Sequence, residues 1–453
     1  MSRAQDRVVV VGGGVVGAAC AYYLRQRGRT VRLIDQGAFG RGCSHGNCGY
    51  VSPSHVLPQA GPGALWRTLK TLFARNSPVK VRWRFDPAMW RWFWQFARRC
   101  NQRDMIAAGH AIQSLLNSSR SLYDELLKNP SQNRLGEGDS PQFCSADSAK
   151  MGTVPGGFVG GSKETLTDVE WEPSGLLFVL KSQRGMDHYA ETDRLLRSEF
   201  NLGATRYDGP DLLELEPALL PGNAGAWRYD IDGRLRSDKL MLAWRRALER
   251  QGVEIREQCE LREFVADGRL VRRLITSVGE IEADQIVVAT GSWTPRLRRL
   301  LGCSIPIQPG KGYSITMPRP ALCPRFPMIF EEHRVAITPL TSTYRIGSTM
   351  EFAGYDVSLN PARLRLLRDG AALYLREPHA EPVLESWSGW RPMTPDSLPL
   401  IGRAPALENV FVAAGHGMLG VSMSPATGRL IAELVSGETP HIDPQPYAVG
   451  RKL

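Results

Sequence analysis

The feature that most constrains this chain is a glycine-rich turn directly after a run of four valines. Residues 8–11 are all valine, and they lead into Gly12-Gly13-Gly14-Val15-Val16-Gly17, a G-x-G-x-x-G pattern. Its first glycine allows a tight strand-to-helix turn, its second lets backbone N–H groups approach a pyrophosphate, and its third lets the helix pack against the strand. Residues 18–27 then read as a helix and 30–34 as a second strand. Asp35 follows this strand, at the position where a ribose hydroxyl needs a hydrogen-bond acceptor. This context predicts a dinucleotide site rather than an ordinary glycine-rich turn.

Three later segments favour FAD over NAD, which uses the same glycine pattern. Residues 284–291 read as a buried strand that ends in small residues, and residues 409–420 repeat this arrangement before a helix at 422–434. The polar, glycine-rich loop 42–50 follows Asp35 closely enough to lie along a ribityl chain and an isoalloxazine ring. A long cofactor needs several such anchors. The predicted FAD contacts are Gly12, Gly14, Val15, Val16, Gly17, Asp35, Gln36, Ser44, Asn47, Cys48, Gly49, Ala289, Thr290, Gly291, Trp293, Gly415, His416, Gly417, Met418, Leu419 and Gly420.

These segments resemble the D-amino acid dehydrogenase group of the D-amino acid oxidase superfamily, whose members are FAD-dependent. The resemblance covers most of the chain. Besides the glycine pattern, it is carried by the S-x-x-N-x-G loop at 44–49, Lys311-Gly312-Tyr313, the G-W-R-P-M-T-P-D motif at 389–396 and Gly415-His416-Gly417. Within the group, residues 42–53 are most similar to enzymes that act on cyclic D-imino acids, including D-hydroxyproline dehydrogenases.

The order of predicted elements indicates an α/β fold with two domains. Residues 1–65, 238–300 and 387–453 are assigned to a Rossmann-like FAD-binding domain. Residues 66–237 and 301–386 are assigned to a discontinuous α+β substrate domain, in which alternating strands favour an antiparallel sheet. Residues 129–170, rich in Gly, Ser, Asn and Pro, are a predicted insertion. We favour a solvated surface excursion there over a lid across the site.

Composition is consistent with a cytoplasmic two-domain enzyme. The chain has 453 residues, which exceeds the usual size of one domain. Its N-terminus reads as a nucleotide-binding strand and helix rather than a signal peptide, and no apolar run reaches the roughly 18 residues of a membrane span. Eight cysteines without a secretory signal are expected to be reduced thiols. Cys43 and Cys48 bracket His45, but this spacing matches no usual zinc pattern, so no metal is predicted.

The segment 66–99 concentrates the net charge of +10. It contains nine Lys or Arg, nine aromatic residues and a single acid, Asp86. Tryptophans suit the headgroup level of a bilayer, and basic side chains are attracted to anionic lipid. Contact with the inner face of the membrane is one interpretation, and a helix whose Trp92, Phe93 and Phe96 simply face the core is the other. Both can hold at once. Nucleic-acid binding is disfavoured because the flavin architecture accounts for the chain.

Arg391 is the first candidate for chemistry. In the resembling family the arginine of this G-x-R-P motif clamps the substrate carboxylate, and a guanidinium fork can pair with both carboxylate oxygens. An ordinary structural ion pair is the alternative. Tyr313, on a predicted strand of the substrate sheet, is a candidate partner of the carboxylate or the amine, although a half-buried strand tyrosine explains it equally well. His55 is a weaker candidate, able either to tune the flavin or only to cap a turn.

The expected reaction is oxidation of the Cα–N bond of a D-amino or cyclic D-imino acid, with D-hydroxyproline or D-proline favoured. Hydride would pass to flavin N5 and the electrons to a quinone or another acceptor, so no base on Cα is required. Two alternatives stay open. One is an oxygen-using amine oxidase of the glycine or sarcosine type, and the other is a non-catalytic flavin-binding subunit that relays electrons or acts as a scaffold.

Overall fold

The computed structural model describes residues 7–64, 79–82, 85–127 and 165–453. Its strands are β1 (Arg7–Val11), β2 (Thr30–Ile34), β3 (Tyr50–Val51), β4 (Val79–Val81), β5 (Leu176–Leu180), β6 (Thr205–Asp208), β7 (Gly225–Tyr229), β8 (Gly233–Arg234), β9 (Glu254–Arg256), β10 (Leu261–Asp267), β11 (Leu270–Thr276), β12 (Gly279–Glu282), β13 (Gln285–Val288), β14 (Gln308–Pro318), β15 (Met328–Phe330), β16 (Val335–Pro339), β17 (Thr343–Phe352), β18 (Glu385–Met393), β19 (Leu400–Arg403) and β20 (Val410–Ala414). Its α-helices are α1 (Val15–Gln26), α2 (Pro87–Arg99), α3 (Gln102–Leu126), α4 (Gln183–Phe200), α5 (Gly209–Leu215), α6 (Ser237–Arg250), α7 (Arg298–Leu301), α8 (Pro361–Ala372) and α9 (Gly420–Ser436). Two 3₁₀ turns span Gly291–Leu297 and Gln445–Tyr447.

The cofactor sheet has six strands in the order β19, β20, β13, β1, β2 and β9. All neighbours pair in parallel except β19 and β20. The inner strands are almost wholly apolar, as expected for a parallel sheet covered on both faces. Helix α1 packs beneath it against α6, where Tyr22 meets Trp244 edge to face at 5.2 Å. It approaches α9 so closely that a methyl group on Gly428 would lie 2.6 Å from the backbone of Ala19.

The second sheet has nine strands. Eight follow the order β18, β14, β17, β16, β15, β5, β7 and β6, and β4 pairs with the far end of β17. The sheet is antiparallel except at the β15–β5 and β17–β4 pairs. One face packs on α8 through a cluster that includes Tyr313, Tyr344 and Tyr374. The predicted fold class, a Rossmann-like domain joined to an α+β domain on an antiparallel sheet, is thus confirmed.

The position at which the chain passes from the large sheet to the cofactor sheet differs from the predicted domain boundary. Residue 387 was the predicted start of the last FAD-binding segment, but it lies inside β18, which pairs with β14 from Glu385 to Met393. The chain therefore passes to the cofactor sheet after Met393. The GWRP motif is continuous with a substrate-sheet strand because its backbone groups complete the β14 ladder. A separate three-stranded meander, β10–β12, branches from the cofactor domain.

Two predicted segments fall wholly or partly outside the described residues. Most of the predicted insertion, 129–164, is outside them, and so are 66–78 and 83–84 of the basic aromatic segment. Residues 165–170 are described, and there the backbone N–H of Leu166 donates to Leu126 O at 2.7 Å. In the portions that are described, no helix combines the length and apolar character needed to cross a membrane.

Candidate active site

The glycine-rich turn brings β1, β13 and the start of α1 together. Gly12 has a φ of +114°, and a methyl group on it would lie 2.5 Å from the carbonyl oxygen of Ala289. A methyl group on Gly17 would overlap the carbonyl oxygen of Gly12. Gly14 stands at the N-cap of α1 and has no side chain to cap the helix. The positive end of α1, with Val15, Val16 and Gly17 in its first turn, is therefore open to an anion.

Asp35 fixes this turn from the end of β2. Its Oδ2 accepts from the backbone N–H of Gly13 at 2.6 Å, and its Oδ1 accepts from Gly37 N–H at 2.7 Å. A carboxylate has about four lone-pair sites, so each oxygen can still accept from a ribose hydroxyl. Gln36 is exposed beside it. Asp35 thus has a structural role in addition to the predicted one.

The loop 42–50 lies against the start of α1. Ser44 Oγ accepts from Val15 N–H at 3.1 Å, which joins the loop to the glycine-rich turn. Asn47 Oδ1 accepts from Gly49 N–H at 2.7 Å, so this side chain shapes the loop. Gly49 has a φ of +76°, and a methyl group there would overlap the carbonyl oxygen of Leu235. Burial raises the pKa of Cys48, which keeps its thiol neutral.

The segment after β13 lies beside the glycine-rich turn and forms a second side of the candidate cofactor site. Ala289 is buried, and Gly291 has a φ of +54° with open space where a side chain would be. The hydroxyl of Thr290 is 3.0 Å from that of Thr294, which stabilises the following 3₁₀ turn. Trp293 stacks on Tyr355 with ring centroids 4.8 Å apart, so its ring is held by the substrate domain.

The segment after β20 forms the third side. Gly415 and Gly417 have φ values of +85° and +54°. His416 between them is buried, with Nε2 3.0 Å from Thr427 Oγ1, and burial lowers its pKa to about 3. It therefore remains neutral and structural. Leu419, at the N-cap of α9, makes no side-chain capping bond; Gly420 follows as the first helical residue and Met418 is partly exposed.

Arg391 lies where these sides meet the large sheet. The residue before it, Trp390, accepts from Ser292 Oγ at 2.7 Å through its carbonyl oxygen. The residue after it, Pro392, accepts from Gly417 N–H at 3.0 Å. The segments that follow β13 and β20 are therefore both hydrogen-bonded to the backbone on either side of Arg391.

The Arg391 guanidinium has only carbonyl partners among the described residues. Nη1 donates to Thr349 O at 2.6 Å, and Nη2 lies 3.5 Å from Ser348 O. Within the described parts of the chain, no acidic side chain forms an ion pair with it. Desolvation lowers its pKa, while the neighbouring Cys43 and Cys48 act in the opposite direction. An arginine is charged at any physiological pH, so this is a desolvated cation without an anion.

Tyr313 and His55 are not brought together with Arg391. Strand β14 turns Gly312 toward the Arg391 guanidinium, so the next residue, Tyr313, points to the opposite face. There it is 2% exposed and donates to Glu351 Oε2 at 2.7 Å. His55 packs against Phe178 with ring centroids 5.4 Å apart, its Nδ1 is buried without a hydrogen-bond partner among the described residues, and burial lowers its pKa to about 4. Tyr313 is thus not positioned to contact substrate.

Several residues of the site were missed in the sequence. Gly312 matters because a methyl group on it would lie 2.5 Å from the Arg391 guanidinium. Trp387, on the same face of β18 as Arg391, covers Gly46 and Gly389, since a methyl group on either would overlap its indole. Alternation along β18 was a usable signal for Trp387. The positive φ values at Ser348 and Thr349 had no sequence signal.

Comparison with known proteins agrees with this geometry. Residues 7–155 and 156–434 match the profile of the DAO family, described as FAD dependent oxidoreductase. A D-amino acid dehydrogenase from Paramagnetospirillum magneticum is 32% identical over 98% of both chains. Glycine oxidase from Geobacillus kaustophilus superposes with a TM-score of 0.72 at 22% identity, covering 99% of this chain and all of the other. L-proline dehydrogenase from P. horikoshii has a TM-score of 0.68 at 18% identity, covering 98% and 96%.

The fold, together with the glycine-rich turn and the segments after β13 and β20, defines the class of protein: a dinucleotide-dependent oxidoreductase. The chain belongs to the DAO family of FAD-dependent oxidoreductases, and FAD is its cofactor. The predicted resemblance to the D-amino acid oxidase superfamily is confirmed. The glycine turn, the glycine N-cap of α1 and the open Gly291 after β13 are the features that fit this cofactor.

Two alanine substitutions separate packing from cofactor binding. In Gly17→Ala the added methyl meets backbone, so we expect a loss of about 1–3 kcal/mol of stability together with loss of flavin. In Gly14→Ala the methyl meets only Ser44 Oγ, at 3.6 Å, so the apoprotein should keep the wild-type melting temperature and still lose flavin. Thermal unfolding of apoprotein and the ratio of flavin to protein absorbance measure the two effects. A flavin-replete Gly14→Ala protein would contradict the assignment.

Proposed function

We propose that this protein is an FAD-dependent D-amino acid dehydrogenase that prefers cyclic D-imino acids, D-proline or D-hydroxyproline. The observation that carries the proposal is the Arg391 guanidinium, a desolvated cation beside the cofactor loop that pairs with no acidic side chain among the described residues. A substrate carboxylate supplies the missing anion. Full-length similarity to curated D-amino acid dehydrogenases supports the same reaction class.

Orientation is the main task of the residues around Arg391. Its fork can bind both carboxylate oxygens, which fixes Cα relative to the cofactor cleft. FAD, when bound, supplies the hydride acceptor. Hydride leaves Cα while the lone pair of the neutral amine forms the C=N bond, and water later hydrolyses the imine. No base on Cα is needed in this step.

An uncharged substrate side chain fits the surroundings of Arg391. Trp387 presents an indole on the same face, and the thiols of Cys43 and Cys48 lie near the guanidinium. Burial raises the pKa of Cys43 to about 11, so that thiol is neutral. This apolar lining favours a ring such as that of proline. Together with the similarity of residues 42–53 to enzymes of cyclic D-imino acids, it is the support for this preference.

Helix α2 supports a quinone as electron acceptor because one of its faces suits a bilayer. Its inner face is core: Trp92 is buried, stacks on Phe96 at 5.4 Å and donates from Nε1 to Met393 O at 3.0 Å. Its outer face exposes Trp90 and Trp94, with the Arg98 guanidinium 4.7 Å above the Trp94 ring. The interpretation of this segment as core packing therefore concerns the inner face of α2, and the interpretation as membrane contact concerns its outer face.

Charge and exposure on that outer face match an anionic membrane. Arg91 and Arg98 are exposed, and α2 has no acidic residue between Pro87 and Arg99. Phe85, just before the helix, is 99% exposed. Aromatic side chains at headgroup depth with basic side chains beside them are typical of interfacial helices. We infer that α2 rests on the membrane and that quinone dissolved there accepts the electrons.

Anaerobic titration of the flavin tests the substrate. We expect D-proline and cis-4-hydroxy-D-proline to bleach the flavin, whereas L-proline and sarcosine do not. A soluble benzoquinone should restore the colour faster than oxygen does. Reduction by sarcosine or glycine with rapid reoxidation and peroxide would instead identify an oxygen-using oxidase. Absence of bleaching by any amine would leave an electron-relay or scaffold subunit.

Gly312 tests the carboxylate clamp through a matched pair on one strand. Gly312→Ala pushes its methyl against the Arg391 guanidinium, so we expect kcat/KM for D-proline to fall about tenfold or more. Gly310→Ala, on the same face two residues earlier, meets Met393 Cγ at 2.9 Å, and the flexible thioether can move aside. Its kcat/KM should stay within about twofold of wild type. Equal losses in the two variants would contradict a specific role for Arg391.

Vesicle sedimentation tests the membrane face. The holoenzyme should bind vesicles that contain phosphatidylglycerol and ignore pure phosphatidylcholine. Replacing Arg91 and Arg98 by Gln should weaken binding by about 2 kcal/mol, roughly thirtyfold, because each basic side chain contributes about 1 kcal/mol. The matched control replaces Leu242 and Arg246, exposed on α6, by Ala and Gln. Wild-type protein that stays in the supernatant with anionic vesicles would refute the membrane proposal.

A further inference from the structure

A β-bulge lies directly behind the Arg391 guanidinium. The pairing of β14 with β17 shifts between Lys311 and Tyr313, so that Thr349 and Met350 of β17 together face Gly312 alone. Gly312 is also the residue on which the guanidinium lies. A bulge adds a residue to one strand and re-aims its backbone groups, and bulges are frequent beside active sites. This one turns carbonyls toward Arg391.

The bulge holds an unfavourable backbone conformation. Ser348 has a φ of +114° and Thr349 a φ of +50°, values that residues other than glycine rarely adopt. Such a conformation is strained and persists only where the surroundings enforce it. The carbonyl groups of these two residues are the partners of the Arg391 guanidinium. Whatever enforces the bulge therefore also sets the position of the clamp.

A buried hydrogen bond spans the bulge on the opposite face of the sheet. Tyr313 follows Gly312 on β14, and Glu351 follows Met350 on β17, so the two residues stand on either side of the extra residue. The Tyr313 hydroxyl donates to Glu351 Oε2 at 2.7 Å. The two side chains are 2% and 3% exposed. A hydrogen bond to a carboxylate is about twice as strong as one between neutral groups.

We propose that Tyr313 is a positioning residue: its hydrogen bond to Glu351 ties the two ends of the bulge together and so holds the Ser348 and Thr349 carbonyls against Arg391. The inference rests on the proposed function because it concerns the site for the substrate carboxylate. Burial and the adjacent Glu351 carboxylate raise the pKa of Tyr313, so its hydroxyl stays a donor throughout the physiological range. Tyr313 acts on substrate only through Arg391.

Binding of two non-oxidised ring ligands to the holoenzyme tests this role. Pyrrole-2-carboxylate needs the clamp, whereas pyrrole-2-carboxamide lacks the charge, and the flavin spectrum reports the Kd of each. In Tyr313→Phe we expect the Kd of the carboxylate to rise about fivefold to tenfold, the scale of one hydrogen bond, with the Kd of the amide unchanged. If Tyr313 contributed only to general stability, Tyr313→Phe would change neither Kd or would raise both Kd values together.

Tyr344→Phe is the matched control. Tyr344 is a fully buried tyrosine of the same cluster on β17, and its hydroxyl has no hydrogen-bond partner among the described residues. The substitution removes the same atom without touching the bulge, so both Kd values should stay at the wild-type level. Equal losses of carboxylate binding in Tyr313→Phe and Tyr344→Phe would overturn the proposal, as would an unchanged carboxylate Kd in Tyr313→Phe.

Glu351 provides a second test that does not depend on the folding of Tyr313→Phe. Glu351→Gln keeps an acceptor for the tyrosine and should leave the carboxylate Kd within about twofold of wild type. Glu351→Met has a similar length without the acceptor and should raise the Kd as Tyr313→Phe does. Similar carboxylate Kd values in Glu351→Gln and Glu351→Met would refute the proposal that the Tyr313–Glu351 hydrogen bond holds the bulge. If wild-type enzyme binds neither ligand and oxidises no amine, the proposed function fails instead.

Discussion

The buried guanidinium of Arg345 is the interaction that joins the cofactor loop to the large sheet. Its Nη1 donates to Asn47 O at 2.7 Å and to Ser237 Oγ at 2.9 Å, and its Nε donates to Thr316 Oγ1 at 3.0 Å. Asp238 lies 3.5 Å from its Nη2. The side chain is only 2% exposed, so a shift of the loop would deprive this desolvated cation of its Asn47 carbonyl partner. The loop that faces the cofactor is therefore fixed from the substrate sheet, and the two domains share one site.

Arg345 and Arg391 differ in their partners, which fit a structural role for Arg345 and the proposed ligand-binding role for Arg391. Arg345 pairs with hydroxyls, carbonyls and Asp238, and although burial alone would raise the pKa of that carboxyl, Arg236 and Arg345 hold it below its ordinary value. Arg391 pairs with carbonyl oxygens and is left without a carboxylate among the residues described. A desolvated cation is costly unless paired, so a site that withholds its own anion favours one from the ligand. This difference in partners separates the structural arginine from the proposed ligand-binding one.

Local patterns predicted the cofactor half of the molecule well. The strand Thr30–Ile34 has the bounds read from the sequence, because strand patterning is a property of a short segment. The glycine turn was recognisable because its spacing follows from backbone sterics. The strand of Tyr313 was predicted correctly, but the choice between a substrate partner and a packed strand tyrosine stayed open because the face it occupies depends on the pairing of β14 with β17 and β18. Arg345 was missed since its partners at 47, 237 and 316 are distant in sequence. The bulge at 349–350 was missed because neither serine nor threonine signals the positive φ found at 348 and 349.

On the proposed role of Arg391 as a clamp for the substrate carboxylate, the strain at Ser348 and Thr349 has a physical reason in the charge of that side chain. Arg391 needs partners that hold its fork in place, and an acidic side chain would hold it more strongly than carbonyls do. A fixed carboxylate, however, would neutralise the cation and compete with a carboxylate ligand for the same donors. Carbonyl oxygens carry only partial charge, so they orient the guanidinium and leave its positive charge available. A regular strand points its carbonyls along the ladder, toward neighbouring strands, and only a bulge can free two consecutive ones for a side chain. The distorted backbone is thus the cost of a clamp that is both rigid and still cationic.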